Sequence, residues 1–113
     1  MKKTILLLLA VALILLLPAC KSSAASKLDP VAAAETYLNS GNAFYNKADF
    51  ERALSDYDQA ILLNPSSAEA FNNRGYVYYI KGEKDKAIAD FETALKLDPD
   101  YTNAKNNLER AKK

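Results

Sequence analysis

The chain has 113 residues, which is enough for one domain, and a net charge of +1. This near-neutral charge argues against a nucleic-acid-binding protein, because such proteins usually carry a clustered basic face. With no His and only one Cys, the chain can form neither an internal disulfide nor a structural zinc site, which uses four Cys or His ligands. We therefore expect no metal and no cofactor.

Residues 1–19 have the layout of a secretory signal peptide. A basic start with Lys2 and Lys3 precedes an almost unbroken apolar run over 5–17, and a polar stretch begins at Lys21. The apolar run is shorter than the ~20 residues that a membrane-spanning helix needs. An uncleaved membrane anchor over 4–19 is the alternative interpretation.

The residues around Cys20 predict where the mature protein begins. Residues 17–20, Leu-Pro-Ala-Cys, resemble the lipobox of bacterial lipoproteins, although Pro18 departs from the usual small or aliphatic residue. The resemblance implies cleavage before Cys20 and a lipid anchor on its sulfur, and several acyl chains hold a protein stably on a membrane. The resemblance also implies a protein anchored on the extracytoplasmic side of the membrane. Because Lys21 is not the Asp of inner-membrane lipoproteins, the expected location is the outer membrane facing the periplasm if the organism is Gram-negative. A chance Cys after an ordinary signal peptide is the alternative.

A Ser-rich segment over 20–29 is expected to be a flexible tether between this anchor and the folded domain. Asp29 and Pro30 then form a helix start, with Asp as the N-cap and Pro at the first helical position. The folded domain is therefore expected to cover 30–113.

Within this domain the sequence repeats with a period of 34 residues, so that 34–67 aligns with 68–101. Both copies place aromatic residues, Gly, Ala and Pro in the same order: Tyr37, Gly41, Phe44, Ala53, Tyr57, Ala60 and Pro65, then Phe71, Gly75, Tyr78, Ala87, Phe91, Ala94 and Pro99. This period with these residue types resembles the tetratricopeptide-repeat (TPR) family. Ser40 and Arg74 depart from the family pattern, which favours Leu at that position.

The resemblance implies an all-α fold, a short TPR α-solenoid of two helix-turn-helix repeats with a capping helix over 101–113. Apolar periodicity and cap residues predict helices over 31–47, 50–63, 67–81, 84–97 and 101–112. Gly82 is expected as a C-cap between two helices, and Ala48 should occupy the equivalent turn less comfortably. Residues 66–69 predict a capping box. Since two repeats and a cap bury a small core, we expect marginal stability, or reinforcement by a partner or by self-association.

The family resemblance also implies a concave groove, lined by the first helix of each repeat, that binds a protein or peptide partner. The candidate groove residues, transferred by repeat position, are Glu35, Leu38, Asn42, Tyr45, Glu69, Asn72, Tyr76 and Tyr79, with Asn103, Asn106 and Arg110 from the end helix. Tyr offers a large area with a polar tip, and Asn can pair with a peptide backbone. For Tyr45 and Tyr79, packing between helices is the alternative.

One TPR subtype binds C-terminal carboxylates through a clamp of Lys, Asn, Lys and Arg. Asn42 and Asn73 match its two asparagines, whereas Leu38, Asn103 and Asn107 stand where its basic residues would be. The clamp is incomplete, so recognition of chaperone tails is not predicted.

An enzyme is not expected, because the commonest general base, His, is absent. The acidic pairs Asp56/Asp58 and Glu83/Asp85 are two residues apart, point in different directions on a helix and are expected to be solvated charges. The sequence thus predicts a lipid-anchored adaptor of the bacterial cell envelope. The alternative is a structural subunit that self-associates or stacks within a secretion, pilus or cell-wall assembly.

Overall fold

The computed structural model describes residues 29–113; the predicted signal peptide, Cys20 and the tether up to residue 28 lie outside them. The described residues form five α-helices: α1 Pro30–Asn46, α2 Phe50–Leu63, α3 Ala68–Ile80, α4 Lys84–Leu97 and α5 Thr102–Lys112. The all-α class is confirmed, and every predicted helix boundary lies within one residue of the observed one. No helix in 29–113 is long and apolar enough to cross a membrane.

The five helices are arranged in two layers. α1 packs on α2 and α3 on α4, as expected for helices joined by short turns, while α2 contacts α3 and α4 contacts α5. α1 and α5 each also contact α3 directly. The inner layer therefore consists of α1, α3 and α5, and the outer layer of α2 and α4.

Side-chain caps begin three of the helices. The carboxylate of Asp29 accepts a hydrogen bond from Val31 N at 3.0 Å, which confirms the predicted start of α1. The predicted capping box before α3 is wrong: Ser67, not Ser66, is the N-cap, and its hydroxyl accepts from Ala70 N at 3.2 Å. With the cap shifted by one residue, Glu69 lies one position short of the third helical position that a capping box requires.

The turns inside the two repeats differ in one residue. Gly82 ends α3 in a left-handed conformation with φ +80°, as expected for a C-cap Gly. Ala48 adopts the same conformation at the equivalent turn with φ 57°, and it is the only non-glycine residue in 29–113 with positive φ. The less comfortable turn predicted for the first repeat is confirmed.

Small residues allow the helices of each repeat to approach closely. Ala53 and Ala87 are completely buried, and the rings of Tyr57 and Phe91 fill the space against Gly41 and Gly75 respectively. Leu108 and Ala111 of α5 then pack on Ala87 and Phe91, so that the last helix covers the core of the second repeat.

Two acidic residues expected to be solvated charges have side-chain partners, and one of the two is partly buried. Asp56 accepts a hydrogen bond from the Ser40 hydroxyl at 2.5 Å, and Asp58 forms a 2.9 Å salt bridge with Arg74. The prediction is wrong for Asp56, which is partly buried, because the polar residue at position 40, where the family favours Leu, requires a polar partner there. It holds for Asp58, whose carboxylate is exposed although it pairs with Arg74.

An asparagine-lined groove as the candidate functional site

The three inner helices line one side of the molecule with an open groove of about 400 Å³. Its lining comes from α1, α3 and α5, with one side chain from α2. Seven of the eleven lining residues are asparagines; the full set is Asn42, Tyr45, Asn46, Tyr57, Asn72, Asn73, Tyr76, Asn103, Asn106, Asn107 and Arg110. The groove is therefore a surface of side-chain amides with tyrosine rings beside them.

Most of the candidate groove residues line this groove together. Those that do are Asn42, Tyr45, Asn72, Tyr76, Asn103, Asn106 and Arg110. Glu35, Glu69 and Tyr79 are exposed but lie outside the lining. Leu38 does not contribute either, because it is buried in the core cluster of Ala53 and Tyr57.

Four lining residues were not among the candidates: Asn46, Tyr57, Asn73 and Asn107. Asn46 lies one helical turn after Asn42 on the same face of α1, a spacing that could have identified it. Tyr57 belongs to the outer helix α2, and its ring passes Gly41, which has no side chain to block it. Sequence positions alone do not show that an outer-layer hydroxyl reaches the groove.

A chain of hydrogen bonds crosses the floor of the groove. Asn42 Oδ1 accepts from the Tyr57 hydroxyl at 2.8 Å and from Asn73 Nδ2 at 3.0 Å. Asn72 Nδ2 donates to Asn73 Oδ1 at 3.3 Å, and Asn107 Nδ2 donates to Asn72 Oδ1 at 3.0 Å. This chain, which we call the asparagine ladder (Asn42, Asn73, Asn72, Asn107), links α1, α3 and α5.

The ladder leaves hydrogen-bonding capacity for a ligand. Each Asn amide has two donor hydrogens and two acceptor lone pairs, and the exposed lining residues Asn46, Asn103 and Asn106 take no part in the ladder. No buried side-chain nitrogen or oxygen atom in 29–113 lacks a partner. The ladder is thus satisfied in the free protein while amide groups remain on the groove surface.

Three tyrosines form an aromatic edge beside the amides. The ring centroids of Tyr45 and Tyr76 are 6.0 Å apart in an edge-to-face arrangement, and those of Tyr76 and Tyr79 are 6.3 Å apart and stacked. Tyr45 also lies 6.1 Å from the ring of Phe50. Tyr45 and Tyr79 therefore take part in inter-residue packing, and Tyr79 keeps 37% of its surface exposed.

The groove is almost free of charge. Arg110 is the single charged side chain of the lining. Burial raises the pKa of the Tyr57 hydroxyl to about 12, and burial together with Tyr76 raises the pKa of Tyr45, so both hydroxyls stay protonated at neutral pH. No group of three His, Cys, Asp or Glu side chains in the described part of the chain could hold a metal ion.

Comparisons with known proteins agree with this architecture. A tetratricopeptide-repeat family model matches residues 38–102. Among solved structures, the second TPR domain of human RPAP3, in complex with the HSP70 peptide SGPTIEEVD, is 36% identical with a TM-score of 0.68, over 71% of this chain and 67% of that one. The TPR domain of Arabidopsis OM64 is 30% identical with a TM-score of 0.69, over 70% of this chain and 65% of that one.

The TPR2B domain of yeast Sti1, solved in complex with pHsp70, is 26% identical with a TM-score of 0.69, over 71% of this chain and 64% of that one. The chain thus spans about two thirds of the length of the solved chains that it matches. No curated protein matches the sequence. From the family match, the identity to the human domain and the shared helical architecture, we conclude that this chain belongs to the tetratricopeptide-repeat family.

Proposed function

We propose that the protein is a lipid-anchored adaptor of the bacterial cell envelope, which binds an extended segment of another protein in the asparagine-lined groove. The observation that carries the proposal is the row of side-chain amides along three inner helices. An amide offers the same donor and acceptor groups as a peptide bond, so a row of amides can pair with an extended backbone whatever its side chains. We propose no catalytic step.

The dimensions of the groove suit a short peptide. Neighbouring packed helices lie about 10 Å apart, so the three inner helices span ~20 Å. An extended chain rises ~3.3 Å per residue and would cross this distance with about six residues. The TPR domains of human RPAP3 and yeast Sti1, both related in fold, were solved with peptide or Hsp70 partners, which supports a peptide ligand here.

Anchoring by a lipid on Cys20 is proposed from the sequence. The apolar leader, the small residue before Cys20 and the polar tether after it support this part of the proposal. Expression of the full chain with Cys20→Ser should release it from the membrane fraction and abolish incorporation of radiolabelled palmitate. Unchanged membrane attachment of Cys20→Ser would support the uncleaved anchor instead.

The composition of the N-terminal end of the array argues against the alternative of a stacking subunit. On α3, Ala70 and Val77 are completely buried. The equivalent residues of α1, 34 positions earlier, are Thr36 and Ala43, and both are exposed. The outward face of α1 therefore exposes a hydroxyl where α3 buries a methyl group, and Ala43 is smaller than Val77.

The C-terminal end is still more polar. Lys105, Glu109 and Lys112 of α5 are exposed at the positions where α3 has Phe71, Gly75 and Tyr78 for packing on α4. A further outer helix would have to bury these charges, which is costly without partners. Since the C-terminal end carries three exposed charges and Thr36 places a hydroxyl on the N-terminal end, the adaptor role is better supported than end-to-end stacking.

A crosslinking pull-down from membranes of the source organism tests the adaptor. The groove variant is Asn46→Ala/Asn106→Ala, which removes two exposed amides on opposite sides of the groove and leaves the asparagine ladder intact. The control is Asn39→Ala/Gln59→Ala, which removes two exposed amides outside it. Helicity of all three proteins is checked by circular dichroism.

We expect a partner that the wild type and the control capture and the groove variant does not. Equal capture by all three proteins would move the binding surface away from the groove. Recovery of only the protein itself would support the structural subunit.

A further inference from the structure

The charge at the edge of the groove differs along the array. Glu35, Glu69 and Asn103 occupy the same repeat position, 34 residues apart on α1, α3 and α5. Asn103 lines the groove. Glu69 precedes Asn72 by three residues, so it lies on the same face of α3, one turn towards the N-terminus. The edge next to α1 and α3 is therefore acidic, and the edge next to α5 is neutral.

The acidic edge acts on the groove itself. The hydroxyl of Tyr57 lies on the groove floor. Burial is the largest cause of its raised pKa, and the negative charge of the Glu69 carboxylate is a further cause. The pKa of Tyr101, at the start of α5, is also raised, first by burial and second by the charge of Glu69. No salt bridge within 29–113 neutralises Glu35 or Glu69.

The positive charge of the lining lies at the other end. Arg110 belongs to α5 and is exposed, and it stands at the repeat position of Asn42 and Tyr76. A ligand that extends past the lining at the N-terminal ends of α1 and α3 would therefore meet the carboxylates of Glu35 and Glu69, and over α5 it would meet the guanidinium of Arg110.

We propose that the groove selects extended segments carrying a Lys or Arg side chain over the Glu35–Glu69 edge, with a neutral or acidic residue over Arg110. This inference rests on the proposed function and specifies its ligand class. The amides pair with the backbone, and the two charged ends fix its direction. An acidic tail such as SGPTIEEVD, the peptide bound by the human RPAP3 domain, would bring carboxylates against the acidic edge and find a single cation.

A selection experiment with the full chain in detergent tests the inference. A displayed library of random 12-residue peptides is selected in parallel on the wild type, on Glu35→Lys/Glu69→Lys, and on the control Asp85→Lys, a charge reversal on the outer helix α4. The wild-type and control selections should be enriched in Lys and Arg, and the reversed edge should select acidic peptides.

Binding of individual selected peptides gives the magnitude. Exposed charge pairs each change affinity by up to about fivefold, so the double reversal should weaken basic peptides by about tenfold at low salt, with a smaller effect at high salt. The synthetic peptide SGPTIEEVD should bind the reversed variant more tightly than the wild type.

The outcomes separate this inference from the proposed function. Neutral or acidic peptides selected equally by the wild type and the reversed variant, but lost in Asn46→Ala/Asn106→Ala, would overturn the charge selectivity and leave the adaptor function standing. Absence of any peptide that distinguishes the wild type from Asn46→Ala/Asn106→Ala would overturn both.

Discussion

The guanidinium of Arg74 grips the carboxylate of Asp90 through two hydrogen bonds of 2.8 Å, from Nε to Oδ2 and from Nη2 to Oδ1. Only 8% of the Asp90 side chain is exposed. The hydrogen bonds to Asp90 are the largest cause that raises the pKa of Arg74 above its usual value. Arg74 also bonds Asp58 of α2 at 2.9 Å. One side chain thereby joins both helices of the second repeat to the first repeat.

Loss of this pair should be among the most damaging single changes. Arg74→Leu, which restores the residue that the family favours, leaves Asp90 buried without its partner and should lower the free energy of unfolding by about 3–5 kcal/mol. Arg74→Leu/Asp90→Ala should recover most of the loss, because an apolar pair can replace a buried ion pair at little cost. Urea denaturation followed by circular dichroism measures both.

Two further variants calibrate this result. Arg74→Lys keeps the charge but loses the two parallel hydrogen bonds that a guanidinium donates to a carboxylate. Its free energy of unfolding should therefore lie between those of the wild type and Arg74→Leu. Asp58→Asn removes a carboxylate that is 53% exposed and should cost about 1 kcal/mol or less. An Arg74→Leu protein within 1 kcal/mol of the wild type would mean that Asp90 finds another partner or water.

The helices and the inner layer could be predicted from the sequence because the repeat encodes them twice. The 34-residue period places Gly41 on Gly75 and Pro65 on Pro99, so each boundary is supported by two copies. The same period brings α1, α3 and α5 to one side. Seven of the groove-lining residues therefore followed from repeat position alone.

The remaining features depend on side-chain contacts between repeats, which a period does not describe. Leu38 shares its repeat position with the groove residue Asn72, but it packs with the core of the first repeat. Tyr57 reaches the groove only because the backbone of Gly41 lies against its ring. The departures from Leu at positions 40 and 74 were visible in the sequence, whereas their acidic partners were not.

The two helices of each repeat pack too closely at Gly41 and Gly75 to accommodate an added methyl group. A Cβ added at Gly41 would lie 2.6 Å from Cε1 of Tyr57, and one at Gly75 would lie 2.9 Å from Cβ of Asp90. Gly41→Ala and Gly75→Ala should each reduce the free energy of unfolding by about 1–3 kcal/mol, with the larger loss at Gly41. Thermal denaturation compares them.

This prediction opposes helix propensity, which makes it informative. Ala is favoured over Gly by about 1 kcal/mol inside a helix, and the exposed change Ala43→Gly on α1 measures that preference in this protein. Stabilisation by Gly41→Ala would show that the ring of Tyr57 moves aside freely and that close packing does not explain the glycine.

The two intra-repeat turns provide a matched pair of backbone changes. Ala48 and Gly82 are 34 residues apart and both have positive φ, a conformation that disfavours a Cβ. Ala48→Gly should therefore stabilise the domain by about 1 kcal/mol, and Gly82→Ala should destabilise it by a similar amount.

A Cβ placed on Gly82 would meet no neighbouring atom within 4 Å. The destabilisation expected for Gly82→Ala therefore comes from the backbone conformation rather than from a steric clash. Chemical denaturation of both variants measures the two effects. Ala48→Gly that leaves the midpoint unchanged or lowers it would contradict the explanation.

Replacing Tyr57 by Phe should change both stability and its dependence on high pH. Tyr57→Phe removes the 2.8 Å hydrogen bond to Asn42 and should cost about 1 kcal/mol at neutral pH. In the wild type, burial raises the pKa of Tyr57 from 10.0 to about 12. Between these values the unfolded chain releases a proton that the folded protein keeps, so the free energy of unfolding falls as pH rises from 10 to 12.

The variant should lose less stability over this interval. Each tyrosine with a raised pKa contributes a slope of at most about 1.4 kcal/mol per pH unit. Burial also raises the pKa values of Tyr45, Tyr78 and Tyr101. These three residues contribute to the pH dependence of the free energy of unfolding in the variant as they do in the wild type. Urea denaturation of both proteins from pH 8 to pH 11.5 should therefore show their stabilities converging above pH 10; parallel curves would mean that the Tyr57 hydroxyl titrates equally in the folded and unfolded states.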